Sequence, residues 1–292
     1  MKAAAFDYVK PASLDELLDL KLKYGAEATI LAGGQSLIPA MHLREVKPAL
    51  LLDINGLSEL REIRETPHTI LVGSLVRYSE LAGSGAMTSY APLLGLAIPH
   101  IASPAIRNRG TVGGSVALAD PGAELPACMT ALRGVVHLKS ASNERQIAIS
   151  EFFTGANASC INDDELVTAV EIPKLQPGYR SGFAEISRRH GGYAVCGAAA
   201  HALVQGRVIS DFRLVYFAAG PTPVIAAAAM SEIEGHELNE EKIDAAQAAL
   251  ANDITPLDNL HGSSELRHHY ARVLAGEVLN QLVLEDGGRN AG

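Results

Sequence analysis

Two short glycine-rich stretches, far apart in the sequence, place the strongest constraint on what this chain can fold into. They read Ala32-Gly33-Gly34-Gln35-Ser36 and Thr111-Val112-Gly113-Gly114-Ser115. Glycines let a backbone approach a ligand closely, and successive N–H groups in such a turn converge into a nest that suits a phosphate. One Gly-Gly turn alone is more simply a tight connection between two elements. Two of them together indicate a pair of nests and therefore a diphosphate ligand.

The residues around the first stretch predict a strand that turns into a helix. The segment 28–31 is apolar and β-branched, as strands are, and helical spacing follows from Ser36, which is a candidate N-cap. Earlier in the chain, Ser13 and Glu16 stand at capping-box spacing ahead of apolar positions and predict the start of an amphipathic helix. With the apolar strand that follows, these elements predict a small α/β unit over about residues 1–57.

The pattern of elements changes after this unit and again near Gln176-Pro177-Gly178. Residues 58–177 alternate short strands with helical pieces, whereas residues 178–292 begin with strands and finish in helices. We therefore expect an α+β protein whose first domain, residues 1–177, has subdomains at about 1–57 and 58–177. The C-terminal domain, residues 178–292, is expected to be a small antiparallel sheet with helices.

Composition narrows the class of protein and its partners. The 292 residues are 48% hydrophobic, which supplies a large core, and the formal net charge of -9 without a basic run argues against nucleic-acid binding. No segment approaches the roughly 20 apolar residues of a membrane span, and the start of the chain lacks a signal-peptide pattern, so we expect a cytoplasmic protein. Cys128, Cys160 and Cys196 are widely separated and predict buried thiols, with neither a disulfide framework nor a metal site.

Motifs of several other chemistries are missing from the sequence. It contains no dinucleotide fingerprint after a strand, no phosphate-binding P-loop, no zinc-protease helix motif and no nucleophile elbow. Asp120 and Glu124 follow the second glycine stretch and are candidates to accept hydrogen bonds from sugar hydroxyls, although Asp120 equally suits a turn cap. Arg107 and Arg109 are either anion contacts or ordinary surface charges. The residues by themselves thus predict a protein that binds a nucleotide diphosphate through two loops.

Longer stretches of the chain carry a more specific pattern. They are residues 32–39, 53–55, 101–104, 107–115, 120–127, 191–195 and 262–267. Together they resemble the FAD-binding medium subunit of the molybdenum hydroxylases, such as the medium subunit of aerobic carbon monoxide dehydrogenase and the flavin domain of xanthine dehydrogenase. The resemblance implies a two-subdomain FAD-binding domain of the vanillyl-alcohol oxidase type, followed by a small sheet-and-helix domain.

The resemblance also implies which residues contact FAD. The two glycine stretches would hold the pyrophosphate, Glu124 would lie on the cofactor, Leu166 would lie near the adenine, and Arg188 would lie by the flavin. Tyr193 would pack at the isoalloxazine ring and control access of the oxidant, which gives it the catalytic role; the alternative is a tyrosine in the core. The full set implied is Ala32, Gly33, Gly34, Gln35, Ser36, Leu37, Ile38, Ala102, Thr111, Gly113, Gly114, Ser115, Ala117, Glu124, Leu166, Arg188 and Tyr193.

Members of the resembled family work with partner subunits. The resemblance implies a heterotrimer, usually doubled, with a small iron–sulfur subunit that carries [2Fe-2S] and a large subunit that carries molybdopterin. Electrons would pass from molybdenum through [2Fe-2S] to FAD and on to an acceptor. FAD is expected to be non-covalent because neither glycine stretch contains His or Cys.

Three positions depart from the resembled pattern. Gln35 stands where His is frequent, Ser115 where Asn is common, and Gly192 where Asp is common. The first two retain hydrogen-bonding groups, whereas the loss of a carboxylate at Gly192 bears on the flavin potential and the acceptor. Two other functions stay open at this point, a stand-alone flavin oxidase and a non-redox module that binds a nucleotide diphosphate.

Overall fold

The computed structural model describes residues 2–258, 260 and 262–284, and its first layer is a small parallel sheet with strand order β1-β3-β2. The elements are β1 (Asp7–Val9), α1 (Leu14–Tyr24), β2 (Ala28–Leu31), α2 (Leu37–Leu43) and β3 (Leu50–Asp53). The Ser13 side chain accepts a hydrogen bond from the N–H of Glu16, which confirms the predicted start of α1. Since β2 and β3 are parallel neighbours, both end at the same edge of the sheet. In parallel sheets this edge is where ligands bind.

A second sheet, antiparallel and ordered β4-β5-β10-β6-β7, occupies the middle of the chain. The strands are β4 (Ile63–Glu65), β5 (Thr69–Gly73), β6 (Val135–Lys139), β7 (Glu144–Ala148) and β10 (Leu166–Pro173), with β8 (Phe153–Gly155) and β9 (Ala158–Ser159) pairing separately. The helices are α3 (Tyr78–Ala82), α4 (Gly85–Tyr90), α5 (Pro92–Ala97), α6 (Pro104–Arg107), α7 (Val112–Leu118), α8 (Glu124–Ala131) and α9 (Ile149–Phe152). The second glycine stretch therefore opens α7, as the first opens α2.

The last part of the chain forms an antiparallel sheet ordered β11-β12-β13-β14, with β15 paired to β13. Its elements are β11 (Tyr179–Ser187), β12 (Ala194–Gln205), β13 (Val208–Phe217), β14 (Val224–Ile225), α10 (Ala227–Ile233), β15 (His236–Glu237), α11 (Glu240–Ala249) and α12 (Ser264–Val283). The predicted order of strands first and helices last is confirmed, and with the preceding sheets it gives the expected α+β fold.

The outer edge of β11 is bonded to a side chain of α12. The N–H of Phe183 donates to Oε1 of Gln281 at 2.8 Å, and Nε2 of Gln281 donates to the Phe183 carbonyl at 3.2 Å. A single amide side chain thus makes the two hydrogen bonds that a neighbouring strand would make at this position.

Two hydrophobic cores meet at the C-terminal sheet. One face of this sheet, including Phe183 and Phe217, joins the core formed by the middle helices, and the opposite face packs on α10, α11 and α12. Helix α8 is buried along its whole length because it lies against this sheet. Its first residue, Glu124, is therefore a carboxylate carried into the interior.

The three cysteines are free thiols. Cys128 and Cys196 are buried as predicted, while Cys160 is only partly buried. Burial raises the pKa of the Cys128 thiol and raises that of Cys196 to about 12, so both stay protonated at neutral pH. Among the described helices, none has the length and apolar character to cross a membrane.

Candidate functional site

The first glycine loop leaves a run of backbone donors open. Gly34 has a φ of +72°, a left-handed conformation that suits glycine. Across the described residues, the N–H groups from Gly33 through Ser36 donate to no protein acceptor. Ser36 stands at the N-cap position of α2 as predicted, but its backbone is already helical and its side chain makes no capping hydrogen bond. Because the hydroxyl does not occupy the turn, the open N–H groups remain available to an anion.

The second glycine loop is built differently. The N–H groups of Val112 and Gly113 donate to carbonyl groups just beyond β5, at 3.0 and 2.9 Å. The Gly114 N–H donates to Oγ1 of Thr111, and the Ser115 N–H donates to the Thr111 carbonyl. These donors are engaged inside the protein, so the expectation of a second, equivalent nest is wrong. Its glycines permit close packing, and the contact of Thr111, Gly113, Gly114 and Ser115 with the cofactor stays a prediction.

The first loop directly contacts the residues that precede the second glycine stretch. A Cβ atom added to Gly33 would lie 2.4 Å from the carbonyl oxygen of Arg109, which is too close for any side chain. The Arg77 guanidinium donates to the same carbonyl and also to Oδ1 of Asn55. Nδ2 of Asn55 in turn donates to the Ala32 carbonyl at 2.8 Å. Arg77 and Asn55 therefore connect the residues preceding the second glycine stretch to the first loop.

A cleft of about 480 Å³ lies where the loops meet. It is lined by Leu31, Ala32, Gly33, Gly34, Gln35, Ile38, Pro39, Asp53, Asn55 and Arg109. The open N–H groups of the first loop and the exposed Arg109 supply donors and positive charge, and the position of Gly33 has no room for a side chain. These features fit a diphosphate, which needs several donors and a close backbone approach.

A separate contact joins Ala102, a predicted cofactor-binding residue, to the loop that carries Tyr193. Gly191 has a φ of +67°, and a Cβ there would lie 2.5 Å from the Ala102 carbonyl oxygen, so the loop that carries Tyr193 packs on Ala102. The Tyr193 side chain is 69% exposed, which excludes the alternative of a core tyrosine. Arg188 donates to the Leu260 carbonyl at 2.8 Å. The structure thus gathers Ala102 and Tyr193 into one surface region.

Glu124 begins α8 and is only 8% exposed. Burial raises the pKa of its carboxyl to about 7; the negative charges of Glu185 and Asp120 add to this rise, and His100 opposes it. Nδ1 of His100 lies 3.5 Å from Glu185, and this hydrogen bond raises the pKa of His100. Asp120 accepts a hydrogen bond from the Gly122 N–H at 2.8 Å, as expected of a turn cap. Near neutral pH, Glu124 therefore exchanges between a carboxylate and a neutral carboxyl that can donate a hydrogen bond.

The other predicted residues are more dispersed. Leu37 is the first residue of α2, and Ala117 is exposed on α7. Leu166 is 5% exposed and packs in the core of the first sheet, so its contact with an adenine stays a prediction. Arg107 donates to carbonyl groups just before α6, at 2.8 and 2.7 Å, and serves the local structure. Arg109, in contrast, lines the cleft.

Sequence reasoning missed several residues of the cleft. Asn55 was seen only as part of a matching stretch, although an Asn at the end of a parallel strand is a signal that could have been followed. Arg77 carries no local pattern, because its contact with Arg109 is made across 32 residues. Tyr78, whose hydroxyl is hydrogen-bonded to Ser115, is likewise set by a long-range contact. In the part of the chain that the structure describes, no group of His, Cys, Asp and Glu could hold a metal ion.

Two family descriptions match the chain in succession. The family described as "FAD binding domain in molybdopterin dehydrogenase" matches residues 4–175. The family described as "CO dehydrogenase flavoprotein C-terminal domain" matches residues 181–282. The two together account for most of the chain.

Individual proteins are similar over nearly the full length. The 6-hydroxypseudooxynicotine dehydrogenase complex subunit alpha of Paenarthrobacter nicotinovorans is 37% identical over 281 residues, which is 96% of this chain and 95% of the relative. Among solved structures, a carbon monoxide dehydrogenase from Hydrogenophaga pseudoflava that lacks the Mo-pyranopterin moiety matches with a TM-score of 0.94 and 31% identity, covering 97% of this chain and 98% of that one. Quinoline 2-oxidoreductase from Pseudomonas putida 86 matches with a TM-score of 0.92 and 32% identity, covering 97% of this chain and 98% of that one.

Proposed function

This chain belongs to the FAD-binding medium subunits of the molybdenum hydroxylases, and from that membership we propose that it transfers electrons from a partner iron–sulfur subunit to an external acceptor. It is a flavoprotein subunit of an oxidoreductase, with an FAD-binding domain over residues 4–175. The observation that carries the proposal is the run of open N–H groups from Gly33 through Ser36, next to Arg109 in the cleft. This donor set suits the diphosphate of FAD.

The residues around the cleft have distinct tasks in this proposal. Gly33, Gly34, Gln35 and Ser36 bind the diphosphate through their backbone, while the second loop supports them from behind. Bound FAD supplies redox chemistry, accepting electrons from one partner and releasing them to another. The exposed Tyr193 controls which oxidants reach the ring. The packing of Gly191, two residues earlier in the same loop, against Ala102 supports a position of this loop at the cofactor.

We also propose the division of the chain into residues 1–177, with subdomains at about 1–57 and 58–177, and residues 178–292. The three sheets support it, since the strands of the parallel sheet end at Asp53, those of the middle sheet at Pro173, and those of the last begin at Tyr179. The gap between the two family matches, from 175 to 181, lies at the same place. Residues 285–292 lie outside the described residues.

The proposed partners supply the iron–sulfur cluster, for which this chain has too few cysteine ligands. An iron–sulfur cluster of the [2Fe-2S] type takes four Cys ligands, whereas this chain has three cysteines, two of them buried thiols. We propose that [2Fe-2S] lies on a small subunit and molybdopterin on a large subunit, in a heterotrimer that doubles. Free thiols also support a reducing compartment, the cytoplasm.

One experiment separates this function from the alternatives. The full chain is purified alone and with the products of its neighbouring genes, and flavin content and flavin reduction by the substrate of the complex are measured. We expect a flavin spectrum in both preparations and substrate-dependent flavin reduction only in the complex. A colourless chain that does not take up added FAD would indicate a non-redox module. Reduction and turnover by the chain alone would indicate a stand-alone flavin oxidase.

A further inference from the structure

Arg77 is a buried cation that is held by neutral oxygens. Arg77 is 7% exposed, and its guanidinium donates hydrogen bonds to the Arg109 carbonyl and to the Asn55 side-chain oxygen. The ion pairs found among the described residues do not include Arg77. A charge taken out of water is costly unless an opposite charge compensates it. The structure therefore keeps a positive charge behind the cleft without a carboxylate bound to it.

Other arginines increase this positive charge. Burial lowers the pKa of Arg77, and the nearby cations Arg61 and Arg109 lower it further, while Glu80 and Asp53 act in the opposite direction. Glu80 is already committed elsewhere, since its carboxylate accepts the backbone N–H of Arg77 at 2.7 Å. An anion in the cleft would relieve the repulsion between Arg77 and Arg109, which lines the cleft, whereas the charge of the exposed Arg61 is screened by solvent.

Arg77 also determines how the first loop faces the cleft. Arg77 donates to Oδ1 of Asn55, and Nδ2 of Asn55 donates both to Oδ1 of Asp53 at 2.7 Å and to the Ala32 carbonyl at 2.8 Å, so Arg77 orients this amide together with Asp53. In a trans peptide the C=O and N–H point in opposite directions. Holding the Ala32 carbonyl toward Asn55 therefore directs the Gly33 N–H away from Asn55. The same guanidinium fixes the Arg109 carbonyl against which Gly33 packs.

We infer that Arg77 is a positioning residue for the diphosphate of the cofactor and sets the preference of the cleft for a diphosphate over a monophosphate. It acts in two ways, by orienting the first loop through Asn55 and Arg109 and by adding a fixed positive charge behind it. The inference rests on the proposed binding of FAD at this cleft and goes beyond it, because it assigns selectivity to a side chain outside the glycine loops.

The test compares variants of the cofactor-free full chain in their affinity for FAD, ADP and AMP. Arg77→Gln removes the positive charge. Arg77→Lys keeps the charge but loses the guanidinium that donates to both the Arg109 carbonyl and Asn55. Asn55→Ala removes the hydrogen bond to the Ala32 carbonyl and leaves the charge of Arg77 in place. Arg61→Gln is the matched control, because this exposed arginine donates no hydrogen bond to either loop in the described part of the chain. Thermal melting of each variant reports its folding.

We expect Arg77→Gln to weaken FAD and ADP binding by about tenfold or more and to lower the preference for ADP over AMP. Arg77→Lys and Asn55→Ala should both retain the preference for ADP over AMP, and both should bind FAD more weakly than the original chain. Arg61→Gln should change the FAD affinity by less than about threefold.

Two results would overturn the inference, and they can be told apart. If Arg77→Gln melts earlier but keeps its affinity for FAD and its ADP preference within about twofold, Arg77 serves only the fold. If the original chain binds neither FAD nor ADP, the proposed function fails and the inference fails with it. Should Arg77→Gln not fold, an unchanged FAD affinity in both Arg77→Lys and Asn55→Ala refutes the inference equally well.

Discussion

Replacing Glu124 by glutamine should stabilise the cofactor-free chain in mildly alkaline solution and remove the contribution of Glu124 to its dependence on pH. Burial raises the pKa of Glu124 from its ordinary value of 4.5 to about 7 in the folded protein. The folded state thus binds the proton more tightly than the unfolded state does. Below 4.5 both states are protonated and Glu124 costs nothing, and between 4.5 and about 7 the stability falls as the pH rises.

The magnitude follows from the size of this shift. At about 1.4 kcal/mol for each pKa unit, the difference between 4.5 and about 7 gives a cost of about 3 kcal/mol above neutral pH. His100 acts in the same direction, since its hydrogen bond to Glu185 raises its pKa, and the stability this provides is lost as the pH rises through the raised value. Glutamine cannot ionise, so Glu124→Gln should remove the contribution of Glu124 and leave the part of the His100 contribution that comes from its hydrogen bond to Glu185.

The assay is urea unfolding of the cofactor-free chain, followed by circular dichroism from about pH 5 to about pH 8. Glu151→Gln is the matched control, because Glu151 is an exposed carboxylate on the surface of α9. Burial lowers the pKa of His201 to about 4, which adds stability as the pH rises toward its ordinary value of 6.5 and opposes Glu124. We therefore expect the original chain and the control to share one pH profile, and Glu124→Gln to gain stability relative to both as the pH rises. The reasoning is refuted if Glu124→Gln follows the slope of the original chain, or if it is less stable at the alkaline end.

Three further predictions concern the cofactor. Gly33→Ala should reduce FAD content to a small fraction, because the added Cβ would lie 2.4 Å from the Arg109 carbonyl oxygen. The control Gly85→Ala, where a Cβ meets nothing within 4 Å, should bind FAD normally. Equal flavin content in the two purified variants would contradict this prediction. Tyr193→Ala in the assembled complex should retain FAD, and its reduced flavin should be reoxidised faster by oxygen in stopped-flow measurements, because the exposed tyrosine ring no longer covers the flavin. An unchanged reoxidation rate would place Tyr193 away from the flavin. Acid precipitation should release all of the flavin into the supernatant, since neither loop contains His or Cys, and a yellow pellet would indicate a covalent bond.

Local sequence signals predicted the elements around the site well. The strand at β2, the glycine turn and the helix α2 could be predicted because β-branched residues, glycines and helical spacing act over a few neighbouring residues. The capping role of Ser13 was predicted for the same reason. Ser36 has an equally suitable side chain, but its backbone is already helical and the side chain makes no capping hydrogen bond. This backbone conformation could not be predicted from the residue type.

The unequal roles of the two loops could not be predicted from their similar sequences. The N–H groups of Val112 and Gly113 are engaged because the chain just beyond β5 lies alongside them, and this contact depends on tertiary packing. Arg77 and Asn55 enter the site in the same way. Local pattern therefore identified the loop that lines the cleft, while the residues that orient this loop became visible only in the folded chain.

The pairing of Gln281 with Phe183 bears on how this protein avoids aggregation. An unpaired outer strand is a template on which another chain can add a strand of its own. Here β11 is an outer strand, and the amide of Gln281 occupies the N–H and C=O of Phe183 that an incoming strand would use. Gln281 lies near the end of α12 and 98 residues after Phe183, so this edge stays open during synthesis until Gln281 has been made and α12 has folded. Once formed, α12 thus prevents β11 from pairing with a strand of another newly made copy of the chain.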